Sequence, residues 1–374
     1  GKVDRKALGR LQLAEEAAGA ARREHVAPGG PVELRLQAIW ERILGRSGIG
    51  VTDDFFELGG QSFDAIRIFA LIKEDFGTRF TLSDLWRART IRELAAGIAG
   101  GAPAGGERRV VPIDLRGAGE PLFLVHPAGG SVMAYTRLGR LIDRPLYGIQ
   151  ASTAADDASR RDIVALAGSY VEELCALQER GPYSLGGWSS GAMIAFEMAA
   201  QLEAAGEPVA QVFILDGPAP VRHGDLSDER LLLWFLDDLA LGLPVERLKG
   251  ETFTGRPLGE QLRRAAEILG TDLDLEPLLA NFQIFRDLIA AGSRYEPGVI
   301  SAGLTVVRVE NDVVDEFSTH PARGESDWGW RRLTRGPVRT VRVAGTHHSF
   351  LLAPLVDGWC ALLEAAEPAA VGRT

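Results

Sequence analysis

The chain has 374 residues, of which 46% are hydrophobic and 25% charged, and a formal net charge of -10. Its length exceeds the roughly 100 to 200 residues of an ordinary domain, which predicts two separate cores, and its composition excludes a disordered chain. An acidic balance without a Lys/Arg-rich stripe excludes a nucleic-acid binder; no run approaches the ~20 apolar residues of a membrane span, so neither nucleic acid nor membrane is expected as a partner.

The opening GKVDRKAL reads as the tail of a preceding unit, and residues 1–30 end in AAGAARREHVAPGG, small and polar like a linker. In residues 31–100, Leu36, Ile39, Trp40, Ile43 and Leu44 recur at i, i+3, i+4, i+7 and i+8, which places one apolar stripe on a helix face. A second helix is predicted from about Phe63 to Phe76, stopping at Gly77, with Gln61 or Ser62 at its N-terminal boundary. A last one begins at Thr90, which has capping-box spacing to Glu93. The residues alone make Ser62 an ordinary helix cap. Gly100 to Arg109 (GGAPAGGERR) is rich in Gly, Ala and Pro, and residues 101–118 read as a second linker.

From 119 to 370 the pattern changes. Short apolar runs at Leu122–Val125, Leu146–Ile149, Tyr183–Leu185, Val209–Leu215, Leu304–Val309 and Val338–Val343 alternate with helical stretches such as Asp162–Gln178 and Ala192–Ala205. That alternation predicts a mainly parallel sheet covered by helices on both faces. Residues 221–298 carry only helix-like sequence, inserted between two strands where a lid over a site would sit. Cys175 and Cys360 each fall in an apparently helical run and read as core thiols, not as a disulfide or metal pair, which fits a reducing cytoplasm; no metal is expected.

The string YSLGGWSSGAMIAF contains G-x-S-x-G at Gly187–Gly191, with a strand before it and an amphipathic helix after it. That context holds a serine in a strained, exposed elbow where backbones crowd and glycine is needed. Centring the motif on Ser190 would require glycine at Trp188 and Ala192, so Ser189 is the predicted nucleophile and the N–H of Ser190 a predicted oxyanion donor. A serine hydroxyl needs a general base. Among six histidines, His25 lies in a linker, His126 precedes Pro127, His223 is in the insertion and His320 is in a polar loop. His347 and His348 follow the last predicted strand, where a hydrolase with chain order Ser, acid, His places its base, and His347 is preferred. For the acid, Asp216 and Asp312 both end apolar strands, and the residues do not choose between them. A second oxyanion donor is expected after the first run, in HPAGG: Pro127 has no N–H, and Ala128 is chosen ahead of Gly129 and Gly130.

GKVDRKAL, DDFFELGGQSF, HPAGG, GWSSG, LDGP and GTHHSFL, in this order, resemble the carrier protein and terminal thioesterase pair that ends nonribosomal peptide synthetase assembly lines, with the tail of an adenylation domain in front. The resemblance implies a small all-α four-helix carrier bundle followed by an α/β-hydrolase domain with a helical lid insertion. It implies 4'-phosphopantetheine on Ser62, selects Asp216 as the acid with Asp312 in reserve, and agrees on Ser189, His347, Ala128 and Ser190. Ser190 stands where the family commonly has a small or apolar residue, but its backbone would do the work. Lys2 matches an adenylation-domain residue whose domain is not present in this sequence, so no amino-acid activation is expected.

The implied function is release of a peptide held as a thioester on the carrier, by transfer to Ser189 and then hydrolysis or cyclisation. Implied partners are upstream condensation and adenylation domains of the same synthetase, a phosphopantetheinyl transferase and the peptidyl substrate. Two rivals remain: a proofreading thioesterase that clears misloaded carriers, and a catalytically inactive docking module.

Overall fold

Helix α1 (Pro31–Leu44) forms where the apolar stripe predicts it, opening on Pro31, whose missing N–H costs nothing in the first turn, and closing on Gly45 at φ 65°. The computed structural model describes residues 25–60, 62–78, 80, 82–100, 108–152, 154, 157–222, 227–238, 245–248, 251, 253, 255–269, 275–310, 319–352 and 354–364. GKVDRKAL with Lys2, and Asp312, lie outside the described residues.

Helices α2 (Ser62–Phe76), α3 (Leu82–Leu85) and α4 (Ile91–Gly100) complete a small bundle with α1. Leu36, Ile39 and Trp40 of α1 are buried, and each such side chain taken from water contributes about 1.5–3 kcal/mol. Trp40 meets Phe55 edge-on at 5.5 Å between centroids, and Phe56 stacks on Trp86 at 4.6 Å. The predicted capping box forms: the N–H of Glu93 donates to Thr90 Oγ1 (3.2 Å) and the N–H of Thr90 to Glu93 Oε2 (3.0 Å). Arg89 lies against the rings of Phe56 and Trp86 and donates to the carbonyl oxygens of Pro112 and Ile113 in the sheet's first strand.

Among the described residues, seven strands form one sheet in the order β1-β3-β2-β4-β5-β6-β7. They are β1 (Val110–Asp114), β2 (Leu122–Val125), β3 (Leu146–Ile149), β4 (Tyr183–Trp188), β5 (Val209–Leu215), β6 (Gly303–Val309) and β7 (Val338–Val343). All neighbours run parallel except β1 and β3. The stretch 101–118, expected as linker, therefore contains an edge strand. VVPID escaped detection because it is short, carries Pro112 and buries only Val111 and Ile113, as an edge strand can. Strand β4 extends past the predicted Leu185 through Gly186 and Gly187 to Trp188, all of it buried.

Helices α5 (Thr136–Leu141), α6 (Ile163–Leu177) and α7 (Ser190–Ala204) follow β2, β3 and β4. Asp162 caps α6 by accepting from the N–H groups of Val164 and Ala165. Between β5 and β6 lie α8 (Asp228–Asp238), α9 (Leu258–Leu269) and α10 (Leu275–Gly292), as expected for the insertion. Leu232, Phe235, Leu262, Phe282 and Phe285 give it an apolar core of its own, which also includes Ala128. Near the end, where GWCALLEAA is expected to be helical, the described residues form 3₁₀ turns at Val356–Gly358 and Cys360–Leu363, interrupted at Trp359 (φ -136°). Both cysteines are free thiols. Among the described residues no helix is long and apolar enough to cross a membrane.

The chain runs from β2 outward to β3 and then returns to β4 on the other side of β2. In open α/β sheets a reversal of this kind places the ligand site at the carboxyl ends of the strands beside it, here β2 and β4.

Candidate active site

Strand β4 ends in a forced turn. Ser189 has φ 56° and ψ -125°, a conformation that L side chains rarely adopt, and it is the N-cap of α7. The turn is possible because both motif glycines lack a Cβ: one on Gly187 would lie 2.3 Å from the backbone of Gly191, and one on Gly191 would lie 2.5 Å from the carbonyl oxygens of Val125 and His126. The N–H of Ser189 donates to the carbonyl of Leu215 (3.0 Å), which ties the elbow to β5. Tyr135 ties it to β2: its hydroxyl donates to Val125 O (2.7 Å) and accepts from the N–H of Trp188 (2.9 Å).

Asp216 follows β5 directly, also at positive φ (49°). Its N–H donates to Val307 O (2.7 Å) and its Oδ1 accepts from the N–H of Val309 (3.1 Å), so β6 fixes the carboxylate. The remaining oxygen, Oδ2, lies 2.8 Å from Nδ1 of His347, in the loop after β7. Donation from Nδ1–H to the carboxylate leaves Nε2 of the imidazole to take up a proton. Both side chains are almost fully shielded from solvent, at 4% and 3% exposure, so their interaction is little screened by water. Trp188, the residue before Ser189, lies beside the His347 ring at 5.3 Å, and the His348 ring is 6.2 Å from the same indole.

The structure thus joins Asp216, after β5, to His347, after β7, and sets Ser189 at the end of β4 directly after Trp188, whose indole lies beside the His347 ring. HPAGG faces them from the end of β2 as a tight turn, in which the N–H of Gly130 donates to Pro127 O (2.9 Å). Ala128 is buried in this turn and packs against the helical insertion. Ser190 is the first residue of α7. Sequence reasoning passed over Tyr135 and His126; a histidine closing the apolar run LFLV was the available signal, since a buried ring must find partners for both nitrogens.

Ser62 opens α2, a helix of 15 residues. The loop ahead of it is fitted closely: a Cβ on Gly60 would fall 2.4 Å from the Phe55 ring, and the N–H of Gly60 donates to Phe55 O. A serine delivered to the start of a helix by so constrained a turn fits attachment of a phosphodiester, whose charge the helix N-terminus favours.

Residues 120–357 match the family described as thioesterase domain, and residues 34–98 match the phosphopantetheine attachment site. The chain belongs to the thioesterase domain family, with a phosphopantetheine-binding carrier domain preceding the thioesterase domain. It is 31% identical over 358 residues to chondramide synthase cmdD of Chondromyces crocatus, covering 90% of this chain and 9% of that protein. It is 33% identical over 239 residues to a dimodular nonribosomal peptide synthase of Bacillus subtilis, covering 62% of this chain and 10% of that protein. The chain therefore spans about a tenth of the length of these relatives. A solved four-domain nonribosomal peptide synthetase, holo-AB3403 bound to AMP and glycine, superimposes with a TM-score of 0.62 at 28% identity, covering 92% of this chain and 26% of that one. The Vlm2 thioesterase domain bound with a dodecadepsipeptide, at a TM-score of 0.51 and 21% identity over 68% of this chain and 96% of that one, shares the fold.

Proposed function

We propose that this chain releases the finished peptide of a nonribosomal peptide synthetase, with Ser189 as nucleophile, His347 as base, Asp216 as orienting acid, and the N–H groups of Ala128 and Ser190 as oxyanion donors. Residues 31–100 act as the carrier domain, 101–118 as a connection whose Val110–Asp114 joins the sheet as its edge strand, and 119–370 as the thioesterase, with residues 221–298 as its lid. The observation that carries the reading is the Asp216–His347 pair at 2.8 Å, set beside the strained elbow of Ser189.

Ser62 would hold 4'-phosphopantetheine, which would supply a thiol to present the acyl chain as a thioester. His347 takes the Ser189 proton as Oγ bonds to the thioester carbonyl carbon, and the negative oxygen is met by the two N–H groups. The C–S bond then breaks, the proton passes from His347 to the departing sulfur, and the acyl chain remains on Ser189 as an ester. Water, or an amine or hydroxyl within the peptide, attacks that ester with His347 again as base, giving an acid or a ring. The apolar insertion that packs on Ala128 governs how much water competes.

The partners on this reading are upstream condensation and adenylation domains of the same synthetase and a phosphopantetheinyl transferase, and the work is done in the cytoplasm. The carrier matched at residues 34–98 favours terminal release over proofreading of other carriers, because a tethered acyl chain reaches the site at high effective concentration. The test is turnover of a short peptidyl N-acetylcysteamine thioester: wild type releases peptide and Ser189→Ala does not. Equal turnover by the two would refute the assignment, and a folded wild type without turnover would favour the docking module.

A further inference from the structure

We infer that His126 is a positioning residue for the oxyanion hole, acting as a strut that aims the N–H of Ala128. The inference rests on the proposed catalytic reading and adds to it a residue that does not touch substrate.

The Pro127–Ala128 peptide is trans, so its C=O and N–H point in opposite directions across one rigid plane. Whatever fixes the Pro127 oxygen therefore fixes the direction of the Ala128 N–H. Two donors hold that oxygen: the N–H of Gly130 at 2.9 Å and Nδ1–H of His126 at 2.7 Å. The N–H of Ala128 itself makes no hydrogen bond among the described residues, as an oxyanion donor requires.

The proton on Nδ1 is fixed in turn by the other ring nitrogen. Nε2 of His126 lies 2.7 Å from the Tyr170 hydroxyl, which donates to it, leaving Nδ1 as the donor toward Pro127. Tyr170 is fully buried in α6, under the guanidinium of Arg109, which is paired with Glu173. Burial pushes the His126 imidazole down to about 4, so the ring is neutral at physiological pH and keeps this tautomer. Its backbone contributes as well, because the carbonyl of His126 packs on Gly191 at the start of α7. One residue thereby joins the two halves of the hole, the turn after β2 and the start of the helix behind Ser189.

The experiment compares wild type with His126→Phe, which fills the space without a donor, and with Tyr170→Phe, which keeps the donor but frees its tautomer. Three probes of one dipeptide are used: the N-acetylcysteamine thioester, a trifluoromethyl ketone that forms a tetrahedral oxyanion on Ser189, and an unreactive amide. For His126→Phe the expected result is a fall of about 10- to 100-fold in kcat and in ketone affinity, with KM and amide affinity within about twofold of wild type. Tyr170→Phe should show the same split at about 3- to 10-fold, and it keeps the test alive if His126→Phe does not fold. An unchanged ratio of ketone to amide affinity in a folded variant overturns the strut. Because wild-type turnover and its loss in Ser189→Ala are measured on the same thioester, a flat ratio in an active enzyme counts against His126 alone.

Discussion

Nδ1 of His347 and Oδ2 of Asp216 meet at 2.8 Å across 131 residues of chain, one in the loop after β7 and the other at the end of β5, with β6 between their strands. The contact depends on β6 twice, since Val307 accepts from the Asp216 backbone and Val309 donates to its side chain. Replacing Asp216 by Asn keeps the size but offers Nδ1 the wrong partner. Acylation of Ser189 should fall by about 10³- to 10⁴-fold with little change in folding. Single-turnover acylation rates beside a melting curve check this, and a loss below tenfold would mean that Asp216 does not orient the base.

The elbow predicts unequal costs for glycine replacements. Gly187→Ala and Gly191→Ala each drive a Cβ into backbone at 2.3–2.5 Å, where nothing flexible can yield, and should cost several kcal/mol. Gly206→Ala sits at φ +82° in open space and should cost about 1 kcal/mol. Urea denaturation of the three variants ranks them, and a tolerated Gly191→Ala would contradict the close approach of β2 to α7.

Glu197, on the face of α7 toward the insertion, accepts from the Tyr295 hydroxyl at 2.5 Å and from Gln201 at 2.9 Å. Burial holds the Tyr295 hydroxyl protonated by raising its pKa, so it remains the donor. Tyr295→Phe strips one partner from a buried carboxylate and should destabilise the fold by about 1–3 kcal/mol, measured by the shift of the denaturation midpoint.

Stability should depend on pH through His126. Its folded pKa, about 4, lies below the ordinary 6.5, so between these values the unfolded chain binds a proton that the folded chain refuses. The contribution is fully present above about pH 6.5 and is lost as pH falls toward 4, a change on the order of 3 kcal/mol. Unfolding free energies from pH 4 to 7 should rise with pH in wild type and rise less steeply, by one proton, in His126→Phe. Identical slopes would place the titrating group elsewhere.

Ser62→Ala should leave the four helices of the bundle intact and block attachment of the arm. Intact mass after treatment with a phosphopantetheinyl transferase and coenzyme A reads this directly: wild type gains one arm and the variant gains none.

Much of the fold was legible because the central strands are fully buried and read as unbroken apolar runs, while Gly187 and Gly191 mark a turn that only glycine permits. The edge strand β1 was not, since Pro112 and alternating exposure resemble linker. The choice of Asp216 was also out of reach of residue reasoning, because Asp216 and Asp312 both follow apolar runs in the sequence, and it is the register of β5 against β6 that carries the Asp216 carboxylate to His347. His126 was passed over because its value lies in a peptide plane and in Tyr170, 44 residues away, neither of which leaves a pattern in spacing.

The most direct measurement is the site of covalent labelling by a fluorophosphonate, located by peptide mass mapping of the folded protein. The account predicts a single adduct on Ser189 that is absent from Ser189→Ala and greatly slowed in His347→Ala. An adduct on Ser190, or a folded wild type that takes up no label, would contradict it.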